Sequence, residues 1–412
     1  MIKAISFSNM TAGFIAVMVG FTSSVAIIFQ AATAASASPM EISSWLLALG
    51  VGMAVTSIGL SLYYRIPILT AWSTPGAALL ATSLAGVTMP EAIGAFIFSA
   101  LLITLSGITG LFEKVMAHIP RSITAAMLAG ILLQFGTHIF VAMQAQFFLV
   151  FLLFVSYLMG KRLFPRFVIL FILLLGIFIV ELSGLFHLEH VHLALSSPLF
   201  TMPVFSIPTL VSIGIPLFIV TMTSQNIPGI AVIRASGYQP PVSPLISWTG
   251  IANLLLAPFG GYALNLAAIT AAICLSDEAD PNPEKRYKAA VYAGLFYLIA
   301  GVLGATIIAL FSALPNELIL AIAGLALLST LGNSLNVALG DDHHRDPALI
   351  TFLVSASGTT FFGIGAAFWG LVAGVLSLTI LKPIKVDSLI RITTLFLKKN
   401  TTVVSGKQLT EE

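Results

Sequence analysis

Long stretches of this chain carry no charged residue at all. No Asp, Glu, Lys or Arg lies between Lys3 and Glu41, between Glu41 and Arg65, or between Arg234 and Asp277. Each stretch exceeds the roughly 20 apolar residues that a helix needs to cross a bilayer. With 58% hydrophobic and 8% charged residues, the chain has too little polar surface to fold as a soluble domain. The sequence therefore predicts an all-α polytopic membrane protein.

The hydrophobic pattern predicts about fourteen membrane segments in two sets of seven. Segments 1 to 7 are 11–35, 43–64, 69–85, 91–112, 122–140, 147–160 and 167–185. Segments 8 to 14 are 209–235, 242–257, 262–275, 289–314, 316–339, 348–362 and 365–381. Several are too short for a full span, which predicts broken or partly re-entrant elements. The two sets correspond to residues 1–200 and 201–385, and a tail follows at 386–412.

Basic residues fall on one side of this trace. All 18 Lys and Arg residues lie in loops or ends that alternate onto the same face. The other face carries Glu41, Glu91, Glu181, Glu189 and Glu317, together with three histidines at 187, 190 and 192. By the positive-inside rule, both termini and the tail at 386–412 are predicted to be cytoplasmic.

The two sets of segments resemble each other in sequence. Segment 5 begins within IPRSITAAMLAGILLQFG, and segment 12 begins within the similar LPNELILAIAGLALLSTLG. Segment 1 contains VGFTSSVAII, and segment 8 contains VTMTSQNIPG. A shift of seven segments, an odd number, means that the halves are inverted across the membrane. Inverted repeats are typical of secondary transporters, which bind substrate near the midplane at broken helices.

Segment 3 contains a polar interruption that makes it a candidate substrate site. Ser73, Thr74, Pro75 and Gly76 break an apolar run. Proline lacks a backbone donor and glycine permits unusual dihedrals, so a short extended piece leading into a helix N-terminus is predicted.

Segment 10 repeats this arrangement. Pro258 and Gly260 precede Leu264, Asn265 and Leu266. Half-helices that enter from opposite sides would aim their N–H groups and positive dipole ends at one midplane point. That geometry favours an anionic or acceptor-rich substrate.

Segments 8 and 1 supply further polar candidates. Ser224, Gln225 and Asn226 lie in segment 8, and Ser23 and Ser24 occupy the equivalent part of segment 1. The two amides provide donors and acceptors suited to a carboxylate or a planar amide. Alternatively, these small and polar side chains serve only to pack one helix on another.

Other chemistry has little support in the sequence. The formal charge of +2 and the lone Cys274 argue against a nucleic-acid partner, an intramolecular disulfide and a cysteine-based metal cluster. No P-loop or HExxH motif occurs, and the run at 341–346 is predicted to be a solvated charge cluster rather than a metal site. We therefore expect no cofactor, no metal and no enzymatic activity. The coupling proton has no assigned carrier, because Glu91, Glu181 and His138 lie near the predicted outer surface.

Three strings carry a resemblance to a known family. They are TAWSTPGAA at 70–78, SQNIPG at 224–229 and AAITAAIC at 267–274. From about residue 11 to 381 the chain resembles the bacterial benzoate–proton symporters. The resemblance implies the seven-plus-seven inverted-repeat fold of nucleobase–proton symporters and sulfate-type anion transporters. It further implies a core domain of segments 1–4 and 8–11 and a gate domain of segments 5–7 and 12–14.

The resemblance also implies a function. Nucleobase carriers of this fold bind substrate with acidic residues on segments 8 and 10, where this chain has Gln225, Asn226 and Asn265. That departure favours an anion. We expect an inner-membrane carrier that imports benzoate or a similar aromatic carboxylate with protons by alternating access. Assembly into a homodimer is a possibility that the sequence does not decide. The alternatives are a carrier of another anion or a nucleobase with the same fold, or an anion channel.

Overall fold

The computed structural model describes residues 7–110, 120–165, 167–184 and 193–381. The tail at 386–412 and the outer-loop residues His187, Glu189, His190 and His192 lie outside the described residues. Their predicted positions therefore stay predictions.

The described residues of the first half form eight helices and one short strand. In chain order they are α1 Phe7–Thr22, α2 Val25–Ala34, α3 Pro39–Tyr64, β1 Thr70–Trp72, α4 Thr74–Ser83, α5 Met89–Ile108, α6 Arg121–Ala145, α7 Phe147–Leu163 and α8 Val168–Leu182. The described part of the second half mirrors this order. It comprises α9 Ile207–Ala235, α10 Val242–Leu256, β2 Leu264–Leu266, α11 Ile269–Leu275, α12 Tyr287–Val302, α13 Gly304–Ser312, α14 Asn316–Leu339, α15 Arg345–Ala356 and α16 Ala366–Ile380.

Each of the fourteen predicted segments coincides with a helix, a helix pair or a strand followed by a helix. Among the described residues, seven helices are long and apolar enough to cross a membrane, or eight with the pair bent by 57° between α12 and α13. The remaining segments are shorter, such as the 15 residues of α8. The prediction of broken and partial spans is therefore confirmed.

Helix packing follows the predicted repeat. Segment 2 (α3) packs on segment 11 (α12), and segment 4 (α5) packs on segment 9 (α10). The two pairs are equivalent in the repeat, because segment 9 corresponds to segment 2 and segment 11 corresponds to segment 4. Segments 5 and 12, which are α6 and α14, are equivalent to each other and pack together. Each of these helix contacts between the halves is thus repeated with the equivalent helices of the other half.

Segment 8 is a continuous span with two irregular stretches. Leu210–Gly214 and Met222–Asn226 are π-helical, and each is followed within two residues by a proline, Pro216 or Pro228. Proline within a helix removes a hydrogen bond and clashes with the preceding turn. A π-helical turn inserts an extra residue, and such turns often occur at functional sites. The second stretch contains the three segment 8 candidates.

The break before β2 depends on one close contact. Gly260 has a φ of 90°, and a Cβ there would lie 1.7 Å from Cδ1 of Trp45. Trp45 and Phe96 pack on Tyr262 with ring centroids 6.0 and 5.8 Å from it. Because glycine has no side chain and tolerates a positive φ, the chain can turn sharply beneath Trp45 at Gly260. It then enters β2 in an extended conformation.

Candidate substrate-binding site

Segments 3 and 10 cross as an antiparallel two-stranded ribbon inside the helical bundle. Ala71 pairs with Asn265, and Trp72 pairs with Leu264. The N–H of Ser73 donates to the carbonyl of Ala263 at 3.0 Å and extends the ladder. Half-helix α4 follows β1, and half-helix α11 follows β2. The predicted extended pieces in both segments are therefore confirmed.

Buried amides satisfy the outer edge of β2. The N–H of Leu264 donates to Oδ1 of Asn253 at 2.7 Å, and Nδ2 of Asn253 donates to the Leu264 carbonyl at 3.1 Å. The N–H of Leu266 donates to Oδ1 of Asn226 at 2.9 Å. Unpaired backbone groups are costly where water is excluded. The side-chain oxygen of Asn226 therefore bonds the strand β2. Asn253, which bonds the same strand, is not among the residues that the sequence predicted for the site.

Hydroxyl groups of α3 do the same for β1. The N–H of Thr70 donates to Oγ of Ser57 at 3.0 Å, and the Thr70 hydroxyl lies 2.6 Å from the hydroxyl of Thr56. Ser61 Oγ bonds both the N–H and the carbonyl of Ile68 at 3.0 Å. The sequence signal for this support is a set of hydroxyl residues spaced along one face of an apolar helix.

The start of α4 is capped by its own serine. The N–H of Gly76 donates to Oγ of the buried Ser73 at 3.0 Å, and Pro75 occupies the first turn. A Cβ at position 76 would lie 2.9 Å from Cδ1 of Leu217, so segment 8 packs directly on this turn. Thr74 is half-buried at the first helical position.

Segment 1 reaches the crossing through Trp72. Nε1 of Trp72 donates to Oγ of Ser24 at 2.7 Å, and the Ser24 hydroxyl donates to the Gly20 carbonyl at 2.7 Å. The hydroxyl of Ser23 donates to the same carbonyl at 3.0 Å. Ser24 thus joins the break between α1 and α2 to the ribbon, whereas Ser23 bonds only within its own helix.

The remaining candidates differ in how their polar atoms are used. Ser224 and Gln225 are half-buried in the π-helical turn, and no hydrogen-bond partner for either side chain occurs among the described residues. Nδ2 of Asn265 donates to the Ala263 carbonyl at 3.0 Å, but Oδ1 of this fully buried residue has no partner in the described part of the chain. Among the predicted site residues that the structure describes, Gln225 and Asn265 therefore have unused hydrogen-bonding capacity.

The two half-helices differ in exposure. Leu79 and Leu80 of α4 are fully buried, whereas Ile269 at the start of α11 is 79% exposed and Ala272 one turn later is exposed. Half-helix α4 packs on α6, and α2 packs on α14. In addition, Nε2 of Gln30 donates to the Ile319 carbonyl at 3.4 Å. Half-helix α4 is therefore enclosed by neighbouring helices, whereas the start of α11 has exposed side chains.

A separate cavity of about 920 Å³ lies between the starts of α3 and α14, and its lining includes Ser43, Gln146 and Glu317. None of the predicted site residues lines it. The acidic and histidine run at 341–346 lies at the start of α15. There the His344 ring nitrogen lies 2.6 Å from Asp341, and this hydrogen bond lowers the pKa of the Asp341 carboxyl.

Comparison with known proteins gives consistent matches along the chain. A family model described as "Benzoate membrane transport protein" matches residues 3–380. "Inner membrane protein YdcO" of Escherichia coli is 50% identical over 366 residues, which cover 89% of this chain and 94% of that protein. "Benzoate membrane transport protein" of Acinetobacter baylyi is 40% identical over 376 residues, which cover 91% of this chain and 95% of that protein.

Solved structures support the same fold. The transmembrane domain of the cyanobacterial bicarbonate transporter BicA matches with a TM-score of 0.61 at 14% identity, over 90% of this chain and 97% of that one. The anion transporter SLC26A9 matches with a TM-score of 0.59 at 11% identity, over 92% of this chain and 66% of that one. The predicted all-α membrane fold with inverted repeats is confirmed.

Proposed function

The chain belongs to the benzoate membrane transport protein family, and from this membership we propose that it imports benzoate or a similar aromatic carboxylate by proton symport. It is a membrane transporter and not an enzyme. The observation that carries the finer proposal is the ribbon of β1 and β2, where two broken segments of opposite repeats meet. Substrate sites of inverted-repeat carriers lie at such broken helices.

The carboxyl group of the substrate would lie at this crossing. The N-terminus of α4 presents a positive dipole end, which favours an oxygen-rich group. The amides of Gln225 and Asn265 have hydrogen-bonding capacity that no described residue uses. The exposed side chain of Ile269 offers an apolar wall for the aromatic ring.

Alternating access would come from movement of a core domain, segments 1–4 and 8–11, against a gate domain, segments 5–7 and 12–14. In support, α14 packs on α6, α7 and α8, and α15 packs on α16. The contacts of α4 with α6 and of α2 with α14 join the two groups on one side of the crossing. Breaking them and closing the α11 side would expose the crossing to the opposite face.

By the positive-inside rule, the α11 side of the crossing would face the cytoplasm, because the loop that follows α11 carries Lys285, Arg286 and Lys288. Both termini would then be cytoplasmic. We further propose the inner membrane as the location, which the printed name of the Escherichia coli relative supports.

Uptake of labelled benzoate into proteoliposomes, with and without an imposed pH gradient, tests this function. We expect saturable accumulation that requires a lumen more alkaline than the bath. Non-saturable flux without accumulation would indicate a channel. Accumulation of a nucleobase in place of benzoate would indicate another carrier of this fold.

A further inference from the structure

The crossing has an acceptor that lacks a donor. Oδ1 of Asn265 is fully buried and unpartnered in the described structure, while Nδ2 of the same amide is committed to the Ala263 carbonyl at 3.0 Å. That bond fixes which end of the amide is free. A buried acceptor left unpaired is costly, and bulk water does not reach this one. A ligand that complements it must therefore bring a hydrogen-bond donor.

The nearby start of α4 has few donors left to give to an anion. The Gly76 N–H is taken by Oγ of Ser73 at 3.0 Å, and the Ala77 N–H is taken by the Ser73 carbonyl at 2.8 Å. Pro75 has no N–H. Only the N–H of Thr74 remains in this first turn. Within this turn, a full carboxylate, which accepts at two oxygens, would therefore find one free backbone donor.

On the described elements that pack against β2, no charged side chain lies at membrane depth to compensate an anion. The elements packed against β2 are β1, α3, α10 and the π-helical turn of α9. Their charged or titratable residues are Glu41, Tyr63, Tyr64 and Arg234, all at the ends of α3 and α9, and Tyr262 lies just before β2. None of these is a carboxylate or a histidine at membrane depth. Among the described residues, the elements packed against β2 therefore offer neither a cation to neutralise the substrate nor an acidic side chain at membrane depth to carry the coupling proton.

We infer that the substrate is bound and carried as the neutral carboxylic acid, with its O–H donated to Oδ1 of Asn265. This inference deepens the proposed function and rests on it. The carboxylate takes up a proton on one side of the membrane, forming the O–H bond. The acid crosses, and the O–H bond breaks in the more alkaline compartment, which receives both the proton and the carboxylate. One proton thus accompanies each substrate without any proton transfer to the protein.

Benzene derivatives that differ in their polar group test this inference on the wild-type protein. Benzamide is neutral and combines a donor with an acceptor, as the acid does. Benzenesulfonate is a permanent anion with no donor. Each is added as a competitor to labelled benzoate uptake in proteoliposomes with an imposed pH gradient. We expect benzamide to compete and benzenesulfonate not to compete. Competition by benzenesulfonate, or failure of benzamide to compete, overturns the inference.

A variant locates the effect at the crossing. We expect Asn265→Ala to weaken inhibition by benzamide and uptake of benzoate by roughly 5- to 150-fold each, because the acceptor for the substrate donor is lost. Asn333→Ala makes the same change at an exposed position of α14 and should leave both values unchanged. Equal inhibition of the Asn265→Ala and wild-type proteins by benzamide would contradict the assigned acceptor.

Failure of the two proposals can be told apart. If labelled benzoate does not accumulate in a pH gradient, the proposed function itself is wrong. If benzoate accumulates but benzenesulfonate competes for it, the function stands and the neutral-acid inference is wrong.

Discussion

The bond between Trp72 and Ser24 gives a sharp test of how segment 1 holds the crossing. Ser24→Ala removes the acceptor of the buried indole N–H, which lies 2.7 Å from the serine hydroxyl. Leaving a buried donor unpaired costs about 1–3 kcal/mol. The Gly20 carbonyl also loses the Ser24 hydroxyl but keeps that of Ser23 at 3.0 Å. The cost of the substitution is therefore assigned mainly to Trp72.

A double-mutant cycle isolates the free-energy contribution of the bond between Trp72 and Ser24. In a Trp72→Phe background no indole N–H remains, so Ser24→Ala should then change the free energy of unfolding by less than about 0.5 kcal/mol. Ser23→Ala is the matched control, because its hydroxyl donates to the same carbonyl but receives nothing from Trp72. The measurement is reversible unfolding in mixed detergent micelles. An equal cost of Ser24→Ala in both backgrounds would refute the reasoning.

Three further predictions concern the site. Gln225→Ala should lower benzoate affinity by roughly 5- to 150-fold with normal expression, because its amide bonds no described residue and is free to bind the substrate. Isothermal titration calorimetry measures this affinity, and an unchanged value would contradict the prediction. Asn226→Ala should instead destabilise the protein by about 1–3 kcal/mol, because the buried Leu266 N–H loses its acceptor; an unchanged unfolding midpoint would contradict that role. A cysteine at Ile269, with buried Cys274 replaced by serine, should react with an impermeant maleimide from the cytoplasmic face and be protected by benzoate. Labelling from the outer face would contradict the predicted orientation.

Much of the architecture could be predicted because lipid imposes strict rules on the chain. Runs without charge identify the segments, and the positions of Pro75 and Gly76 identify a break that leads into a helix. The register of β1 on β2 could not be predicted. Three-residue strands carry almost no periodicity, and their pairing depends on close contacts such as that of Gly260 with Trp45.

The use of each polar side chain was harder to predict. Asn226 and Asn265 are both amides at membrane depth, and composition alone does not say which bonds the backbone and which is left with a free acceptor. The structure separates them, because Asn226 accepts from Leu266 at 2.9 Å whereas Oδ1 of Asn265 has no described partner. Asn253 follows the same rule as these two, because it is also a buried amide on an apolar helix, and the sequence could have identified it on that ground.

The central claim is that the substrate binds where segments 3 and 10 cross. A structure determined with benzoate bound tests it most directly. Our account predicts the carboxyl group within hydrogen-bonding distance of Asn265, near the start of α4, with the ring toward Ile269. Benzoate found instead in the separate cavity beside Ser43 and Glu317, with the crossing unchanged, would contradict it.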